Sequence, residues 1–449
     1  MIELYVLASY RTIMAVKYPL LIYGKEDFGI MKKLFSLLLA LMMAIGMASA
    51  AFAETEVTIW CWDPAFNIYA INEAAKVYEA INPNVKITVV ETSSGDCETK
   101  QTVALSSGQT DTLADIILMQ DNSGRKFLNT FPGSYYDLTD TIPYNNFAPY
   151  KAKHFTVEGR TYSVPFDNGC AATFVRTDYL EAAGYTLADL TDITWDEYIE
   201  IGLAVKEATG NYMLVTAAGY NDFIMMMLQS TGRWFFDPEG NPSIADNPSM
   251  KAVIETIIKL RESGIVLEAN DWTEYIAGFN NGSAACTIQG CWIIGSIVLA
   301  EDQAGMWGMT NVPRLDIEGG TNYSSQGGSS WVIPVTSPNA EAAADFLLNT
   351  FAGSVEFYQT ILKSSGAIAT YLPAAGGSAY GEPHEFFNGQ KVFEDLMSYS
   401  ANIPMVEYGM YNYEARDAVN VAIQEVIDGG DIDAAIQAAQ ETVEFLMME

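Results

Sequence analysis

The sequence predicts an α/β protein with two lobes, each an open, mostly parallel β-sheet with helices on both faces. Strand and helix patterns alternate after residue 54, and this order is typical of sheets that helices cover on both sides. The chain has 449 residues, more than a single hydrophobic core usually holds. No low-complexity linker is found, so we expect the chain to cross between the lobes more than once.

Strand and helix patterns of the first lobe follow one another closely. The strand patterns are apolar or alternating, and the helix patterns repeat apolar residues every three to four positions. Asn82-Pro83 and Gly108 then stop the two predicted helices. The predicted elements are a strand over 55–60, a helix around 71–78, a strand over 85–91, a helix over 99–107 and a strand over 115–119.

The middle of the chain is richer in helix signals. Thr194 and Glu197 match a capping box, which predicts a helix that ends near Gly210. A further helix is predicted to follow Asn247-Pro248 and to end at Gly264.

The last part of the chain carries a strand pattern over 331–335. Ser337 and Pro338 predict an N-cap and a first helical residue, for a helix that runs to about Gly353. The remaining tail is predicted to be mostly helical, with an interruption at Gly429-Gly430.

An export signal precedes the first strand. Two lysines open it, an apolar run follows, and Ala51-Phe52-Ala53 ends it, as is typical of a cleaved signal peptide. We predict that residues 31–53 are removed, that the mature chain begins at Glu54, and that residues 1–30 are an over-extended start; the alternative is a long basic region before the apolar run. The first cysteine, Cys61, lies past the signal, so no lipid attachment is expected. Export places the protein in the periplasm or on the outer face of the cytoplasmic membrane.

Composition narrows the range of partners. The formal net charge is −33, which disfavours nucleic acid and anionic membranes, because binding to phosphates depends on clustered Lys and Arg. The five cysteines are scattered and odd in number. Cys286 and Cys291 could form a local bridge, but their apolar neighbours favour buried free thiols, and no zinc pattern appears.

Catalysis is the first function to test. The two histidines, His154 and His384, lie in no metal or nucleophile motif, and no phosphate-binding or nucleophile-elbow motif follows a predicted strand. Asp63, Asp121 and Asp167 follow strands, and a pair of them could serve a glycoside hydrolase. Because the chain is so acidic, carboxylates at strand ends are expected by chance, and neither an enzyme nor a cofactor is predicted.

Aromatic and amide residues cluster where strands end. Sugars offer C–H faces that stack on aromatic rings and hydroxyls that pair with Asp, Asn and Gln, so a cleft with this lining suits a neutral saccharide. The segments are 60–67, 120–122, 166–168, 220–222, 289–292, 326–331 and 408–413.

Several of these residues have a plain structural interpretation. Trp60 and Trp195 are expected in the core, and Asp63 before Pro64 could cap the next helix. The tyrosines at 408, 411 and 413 could equally pack between the lobes. Trp62 and Trp292 stand in loops bounded by Gly or Pro, where core packing and ligand contact are equally plausible.

The ordered segments resemble one known family. They are V-T-I-W-C-W-D-P at 57–64, N-P-N-V-K-I-T-V at 82–89, L-A-D-I-I-L-M-Q-D at 113–121, Y-S-V-P-F-D-N at 162–168, T-W-D-E-Y at 194–198, F-N-N-G-S-A-A-C-T-I-Q-G-C-W at 279–292 and G-G-S-S-W-V-I-P-V-T-S-P at 327–338. Together they are similar to the extracellular solute-binding proteins of ABC sugar importers, of the maltose-binding-protein-like, family 1 type.

The resemblance implies a two-lobe periplasmic-binding-protein fold of type II, with a ligand cleft between the lobes. Crossovers are implied near 164–168, 309–313 and 351–354. The implied N-terminal lobe comprises 54–165 and 309–352, and the C-terminal lobe 166–308 and 353–449. The implied function is an extracytoplasmic binding component, expected to be a monomer, that closes on a sugar by hinge motion and delivers it to a membrane permease.

The resemblance also implies ligand contacts by motif position. Trp292 takes the place of a stacking platform, and Asp63 and Asp121 take the place of hydroxyl acceptors. The implied ligand-binding residues are Trp62, Asp63, Gln120, Asp121, Asp167, Trp292, Gly328 and Ser329, followed by Tyr220 and Tyr408.

The identity of the ligand stays open at this point. The opening W-x-W-D-P-x-F-N is similar to that of proteins for lactose or L-arabinose and for plant-derived oligosaccharides. Carboxylates beside aromatic rings also suit a polyamine or another cationic ligand. That alternative and the secreted glycoside hydrolase are the two competing functions.

Overall fold

The structure is a computed structural model that describes residues 55–217 and 219–448. The residues from Thr55 onward form one compact unit. The predicted signal peptide and the segment before it lie outside the described residues. None of the described helices combines the length and apolar character needed to cross a membrane.

The described residues form twelve strands and fifteen α-helices, joined by turns and short 3-10 helices. The strands are β1 (Thr55–Cys61), β2 (Val85–Glu91), β3 (Ile116–Gln120), β4 (Thr156–Val157), β5 (Arg160–Thr161), β6 (Ser163–Asp167), β7 (Ala171–Arg176), β8 (Tyr212–Ala217), β9 (Val266–Ala269), β10 (Ala284–Gly290), β11 (Trp307–Thr310) and β12 (Ser329–Val332). The helices are α1 (Asn67–Glu79), α2 (Ser94–Ser107), α3 (Asp121–Thr130), α4 (Pro149–Lys153), α5 (Thr177–Ala182), α6 (Trp195–Thr209), α7 (Asn221–Ser230), α8 (Met250–Ser263), α9 (Trp272–Asn280), α10 (Ile294–Ile297), α11 (Ala340–Asn349), α12 (Val355–Ser365), α13 (Val392–Ser400), α14 (Asn412–Ile427) and α15 (Ile432–Leu446).

The first sheet has five strands in the order β2-β1-β3-β12-β6. β1 is parallel to β2 and β3, whereas β12 is antiparallel to β3 and β6. Ser329, the first residue of β12, lies opposite Gln120 and Asp167, the last residues of β3 and β6. The carboxyl ends of β1, β3 and β6 therefore meet the start of β12 at one edge of the sheet.

The second sheet also has five strands, in the order β11-β7-β10-β8-β9. β8 is parallel to β9 and β10, and β7 is antiparallel to β10 and β11. Gly290, at the end of β10, lies opposite Ala171, at the start of β7. The residues that follow β10 therefore lie at the same edge of the second sheet as the start of β7, where the chain arrives from the first sheet.

The two-sheet α/β architecture agrees with the prediction, but the sheets are more mixed than expected. Each contains two parallel and two antiparallel strand pairs. The chain passes to the second sheet between β6 and β7 and returns between β11 and β12. A strand that enters from the other sheet runs against its new neighbours, which explains the antiparallel pairs of β7 and β12.

Helices cover both faces of the first sheet, because successive side chains of β1 point to opposite faces and are apolar on both. Val57, Ile59 and Cys61 face one side, where α1, α11 and α12 pack. Trp60 faces the other side, where α2 and α3 supply Cys97 and Phe127. Trp60 is therefore a core residue, as predicted.

The buried cysteines and the predicted caps are confirmed. All five thiols are buried and unpaired. Trp195 is buried in the second-sheet core. Thr194 and Glu197 form both bonds of the capping box, and Gly210 ends that helix in the left-handed conformation. Local signals of this kind act within one turn of chain, which is why the sequence alone reveals them.

The predicted N-cap at Ser337 is wrong. The helix begins at Ala340, after Asn339, and ends at Asn349 instead of near Gly353. The Ser337 hydroxyl accepts a bond from the Asn339 amide at 3.1 Å and donates to Asp115 at 2.6 Å. Ser337 thus anchors a turn to the loop before β3. The preceding strand is also displaced from its predicted range and spans Ser329–Val332.

Candidate functional site

A cleft of about 750 Å³ opens where the carboxyl ends of β1, β3 and β6 meet. Its lining comes from both halves of the molecule, with Trp62 following β1 of the first sheet and Trp292 following β10 of the second. Seven of the ten predicted ligand-binding residues lie in it: Trp62, Asp63, Gln120, Asp167, Trp292, Gly328 and Ser329.

Three tryptophans give the cleft an aromatic wall. Trp62 follows β1, and Trp292 follows β10 in a short 3-10 turn. Trp292 donates its indole N–H to the Gln326 carbonyl oxygen at 3.0 Å, which fixes the orientation of its ring. Trp272, at the start of α9, lies with its ring centroid 5.7 Å from that of Trp292 and is 43% exposed. Exposed indole faces in a cleft can stack on an apolar ligand face.

Asp63 is held in a turn through one of its carboxylate oxygens, and the other accepts no hydrogen bond from the described residues. Its Oδ1 accepts bonds from the main-chain amides of Ala65 at 2.8 Å and Phe66 at 3.1 Å. The predicted capping role is thus partly present, although it stabilises the turn before α1. Burial raises the pKa of Asp63, and the two amide bonds oppose that shift.

Asp167 ends β6 and is almost fully buried. Its Oδ1 accepts bonds from the Ser329 amide at 2.9 Å and from the Ser329 hydroxyl at 2.5 Å. Burial raises the pKa of Asp167, and the positive charge of Lys151 opposes that shift. Asp167 lines the cleft, and no described residue donates a hydrogen bond to its Oδ2.

Asp121 does not line this cleft, contrary to the role implied by its motif position. One carboxylate oxygen pairs with the ammonium of Lys151, and the other accepts the Ser330 hydroxyl at 3.0 Å. The Asp121 amide also donates to the Gly328 carbonyl oxygen at 3.0 Å. Both oxygens of Asp121 are therefore engaged inside the protein.

The two tyrosines predicted with less support also lie outside this cleft. Tyr220 is buried and donates its hydroxyl to Glu268 at 2.8 Å. Tyr408 is buried, and its ring stacks on that of His154 at a centroid distance of 4.9 Å. Tyr408 borders a separate small cavity of about 50 Å³, together with Asp121.

The Gly327–Ser329 loop forms the floor of the cleft. Gly327 and Gly328 both have positive φ values, 79° and 93°. A Cβ atom on Gly169, in the neighbouring crossover, would lie 2.8 Å from Gly327 and Gly328 main-chain atoms. Glycine is thus required where these two crossovers touch, because their backbones pack directly against each other.

A second compartment of about 340 Å³ adjoins the cleft and shares Gln120, Gln326 and Gly327 with it. Gln326 connects the two parts, because its carbonyl holds Trp292 while its side-chain amide donates to Asp222 at 2.6 Å. Asp222 also accepts the Gln289 amide at 2.8 Å. The indoles line the cleft, and a carboxylate held by two amides lines the adjoining compartment.

The charges of the cleft restrict its ligand. Asp63, Glu91 and Asp167 line it, and the part of the lining that the structure describes includes no Lys or Arg. In the adjoining compartment the described lining includes Glu98, Asp222 and Arg416. The larger cleft therefore suits a neutral or cationic ligand and disfavours an anionic one.

Sequence reasoning missed Trp272 and Glu91 as site residues, whereas Asp222 lay in one of the predicted strand-end segments, 220–222. Trp272 directly follows Asp271, which caps α9 by accepting the Glu274 amide at 2.8 Å, so the local signal is that of an ordinary helix start. Glu91 is the last residue of β2, and this position at a strand end is the signal that could have identified it. Asp222 lies in the first turn of α7.

These features define a class: a two-sheet α/β protein whose cleft is built from strand ends of both sheets and is shaped to hold a small polar ligand. The chain belongs to the family of bacterial extracellular solute-binding proteins, which matches residues 73–382. Family membership confirms the predicted solute-binding role in place of an enzymatic one.

Relatives and solved structures agree with this assignment. A protein of Rhizobium radiobacter named lactose-binding protein is 39% identical over 398 residues, which are 89% of this chain and 94% of that protein. An arabinooligosaccharide-binding protein of Bacillus subtilis (strain 168) is 23% identical, with coverage of 71% and 76%.

Among solved structures, the GacH receptor of Streptomyces glaucescens matches with a TM-score of 0.74 at 18% identity, covering 88% of this chain and 99% of that one. The ABC transporter associated binding protein of B. animalis subsp. lactis, solved with β-1,6-galactobiose, matches with a TM-score of 0.73 at 20% identity and coverage of 87% and 96%. At these identities the structural matches show the fold, which is the predicted two-lobe α/β fold.

Proposed function

We propose that the protein is the extracytoplasmic binding component of an ABC importer for a neutral saccharide of two or more units, with a β-galactoside such as lactose as the first candidate. The observation that carries the proposal is the cleft with its adjoining compartment, its indole wall and its carboxylate and amide side chains. The relative named for lactose supports the choice of first candidate.

The chemistry of the lining matches a sugar. Trp62, Trp272 and Trp292 can cover C–H faces, and Asp63 and Asp167 each keep an oxygen that can accept a hydroxyl. The amide group of Gln120 can donate, since its oxygen already accepts the Tyr413 hydroxyl. The cleft volume lies in the range typical of small-molecule sites, and the adjoining compartment gives room for a further sugar unit.

Ligand capture would involve closure of the two sheet-bearing halves around the Gly169 and Gly327–Gly328 crossovers. The packing supports lobe bounds that differ slightly from those expected: β11 belongs to the second sheet, and α12 packs with α1 on the first. In this proposal the exported protein delivers its ligand to the membrane permease of the importer.

A cationic ligand such as a polyamine is the second candidate. It is favoured by the carboxylates of Asp63, Glu91 and Asp167, because the described lining of the cleft includes no Lys or Arg. Ammonium groups pair with carboxylates and lie well over aromatic faces.

The test is calorimetric titration of the chain from Glu54 onward with galactose, lactose, β-1,6-galactobiose, an arabinooligosaccharide and spermidine. We expect saturable binding of at least one di- or oligosaccharide, and a rise in Tm that grows with its concentration. Binding of spermidine without binding of any saccharide would replace the proposal with the second candidate. Glucuronic acid serves as the charge control and should bind more weakly than its neutral counterpart, glucose.

A further inference from the structure

Lys151 is a fully buried lysine next to the cleft. Its side chain is 0% exposed, and its ammonium pairs with Asp121. The ammonium also donates to the main-chain oxygen of Ser329 at 3.2 Å. Lysine is rarely buried to this extent, because removing an ammonium from water costs several kcal/mol unless charges and hydrogen bonds compensate. A buried lysine in this position therefore calls for a role.

The partners of Lys151 are parts of the binding site. Ser329 lines the cleft and gives both its amide and its hydroxyl to Asp167. Gly328 lies directly over the ion pair: a Cβ atom there would be 2.8 Å from the Asp121 carboxylate and 3.2 Å from the Lys151 ammonium. The lysine, Asp121, Asp167 and the Gly327–Ser329 loop thus form one connected unit from α3, α4, β6 and β12.

The charges of this unit do not balance. It contains the carboxylates of Asp121 and Asp167 and the single ammonium of Lys151, and the nearby ionisable groups that act with Asp167 are the thiol of Cys291 and the phenol of Tyr358. Burial raises the pKa of both of these groups, so they are neutral at pH 7. Lys151 therefore supplies the positive charge that opposes the rise in the pKa of Asp167 caused by burial.

We propose that Lys151 is a positioning residue of the ligand site, which holds the Gly327–Ser329 loop in shape and keeps Asp167 ionised as an acceptor for a ligand hydroxyl. The inference rests on the proposed saccharide function. It assigns to Asp121 the role of anchoring Lys151, in place of the direct ligand contact that its motif position implies.

The experiment measures the dissociation constant of the bound saccharide by calorimetry between pH 5 and pH 9. Lys151→Met removes the charge and keeps an apolar stem, whereas Lys151→Arg keeps a charge. Lys153→Met, on the same helix but exposed, is the matched control. We expect Lys151→Met to weaken binding at least tenfold at pH 7. We also expect the pH below which affinity falls, the acidic limb of the plot of affinity against pH, to move to a higher value. Lys151→Arg and Lys153→Met should both keep the midpoint of the acidic limb at its wild-type pH.

A second variant keeps the test valid if Lys151→Met does not fold. Asp121→Asn combined with Lys151→Met removes both members of the pair, so Asp121 is not left as a buried carboxylate without its partner. The acidic limb of this double variant should still move to higher pH. The shift should be smaller than in Lys151→Met, because the repulsion between the Asp121 and Asp167 carboxylates is also lost. Wild-type binding with an unmoved limb in both variants overturns the inference and leaves the proposed function intact. Absence of saccharide binding by the wild type overturns both.

Discussion

Trp292→Ala tests the aromatic wall of the cleft most directly. Trp292 is partly buried, and its indole N–H is fixed by the Gln326 carbonyl, so the ring is already oriented before a ligand arrives. If about a quarter of a tryptophan's ~250 Å² faces the cleft, a sugar removes about 60 Å² of ring from water. At about 25 cal/mol per Å² this contributes about 1.5 kcal/mol.

The sugar face that covers the ring is removed from water as well and contributes a similar amount. Loss of the ring should therefore cost between about 1.5 and about 3 kcal/mol, which corresponds to a Kd between about 12-fold and about 150-fold higher. Isothermal calorimetry with the saccharide that binds the wild type measures this change. Trp292→Phe keeps a ring but loses the bond to Gln326, so it should give a smaller loss.

Phe445→Ala is the matched control, since Phe445 is 62% exposed on the C-terminal helix and is absent from the cleft lining. It should leave Kd unchanged. A Trp292→Ala protein with a native circular dichroism spectrum and wild-type Kd would refute the stacking role and remove Trp292 from the site.

Two further predictions concern stability. Thr194→Ala removes the hydroxyl that accepts the Glu197 amide at 3.2 Å and should lower the free energy of unfolding by about 1 kcal/mol, with no change in Kd; urea denaturation measures the first and calorimetry the second, and an unchanged unfolding midpoint would contradict the capping role. Burial lowers the pKa of His154 to about 3, so below an unfolded pKa of about 6.5 the unfolded state binds more protons and stability falls as pH falls. His154→Gln should therefore lose less stability than the wild type between pH 6.5 and pH 5, by at most about 1.5 kcal/mol, and equal losses in urea denaturation would count against a neutral imidazole at this position.

The sequence predicts most of the fold because its main signals are local. The first three strands and the cap at Thr194 depend on residues within one element, and each is found close to its predicted place. Ser337 was misassigned because its hydroxyl bonds to Asp115, a residue far away in sequence that no local pattern reveals.

The same distinction divides the site. Trp62 and Trp292 follow strands and Asp167 ends one. Because parallel strands bring their carboxyl ends together, position along the chain was informative. Asp121 also follows a strand, but its carboxylate forms an ion pair with Lys151 of α4. Trp272 becomes a cleft residue through packing against Trp292, which is a tertiary event that the sequence around α9 does not indicate.

The placement of β12 has a consequence for the order of folding. β12 lies inside the first sheet, between β3 and β6, yet it follows the whole second sheet in the chain. Its pairs join Ser329 to Gln120 and to Asp167, so the first sheet cannot be completed until about residue 332 has left the ribosome. Contacts this distant in sequence slow folding. The first sheet of a growing chain therefore stays incomplete until every strand of the second sheet has been synthesised.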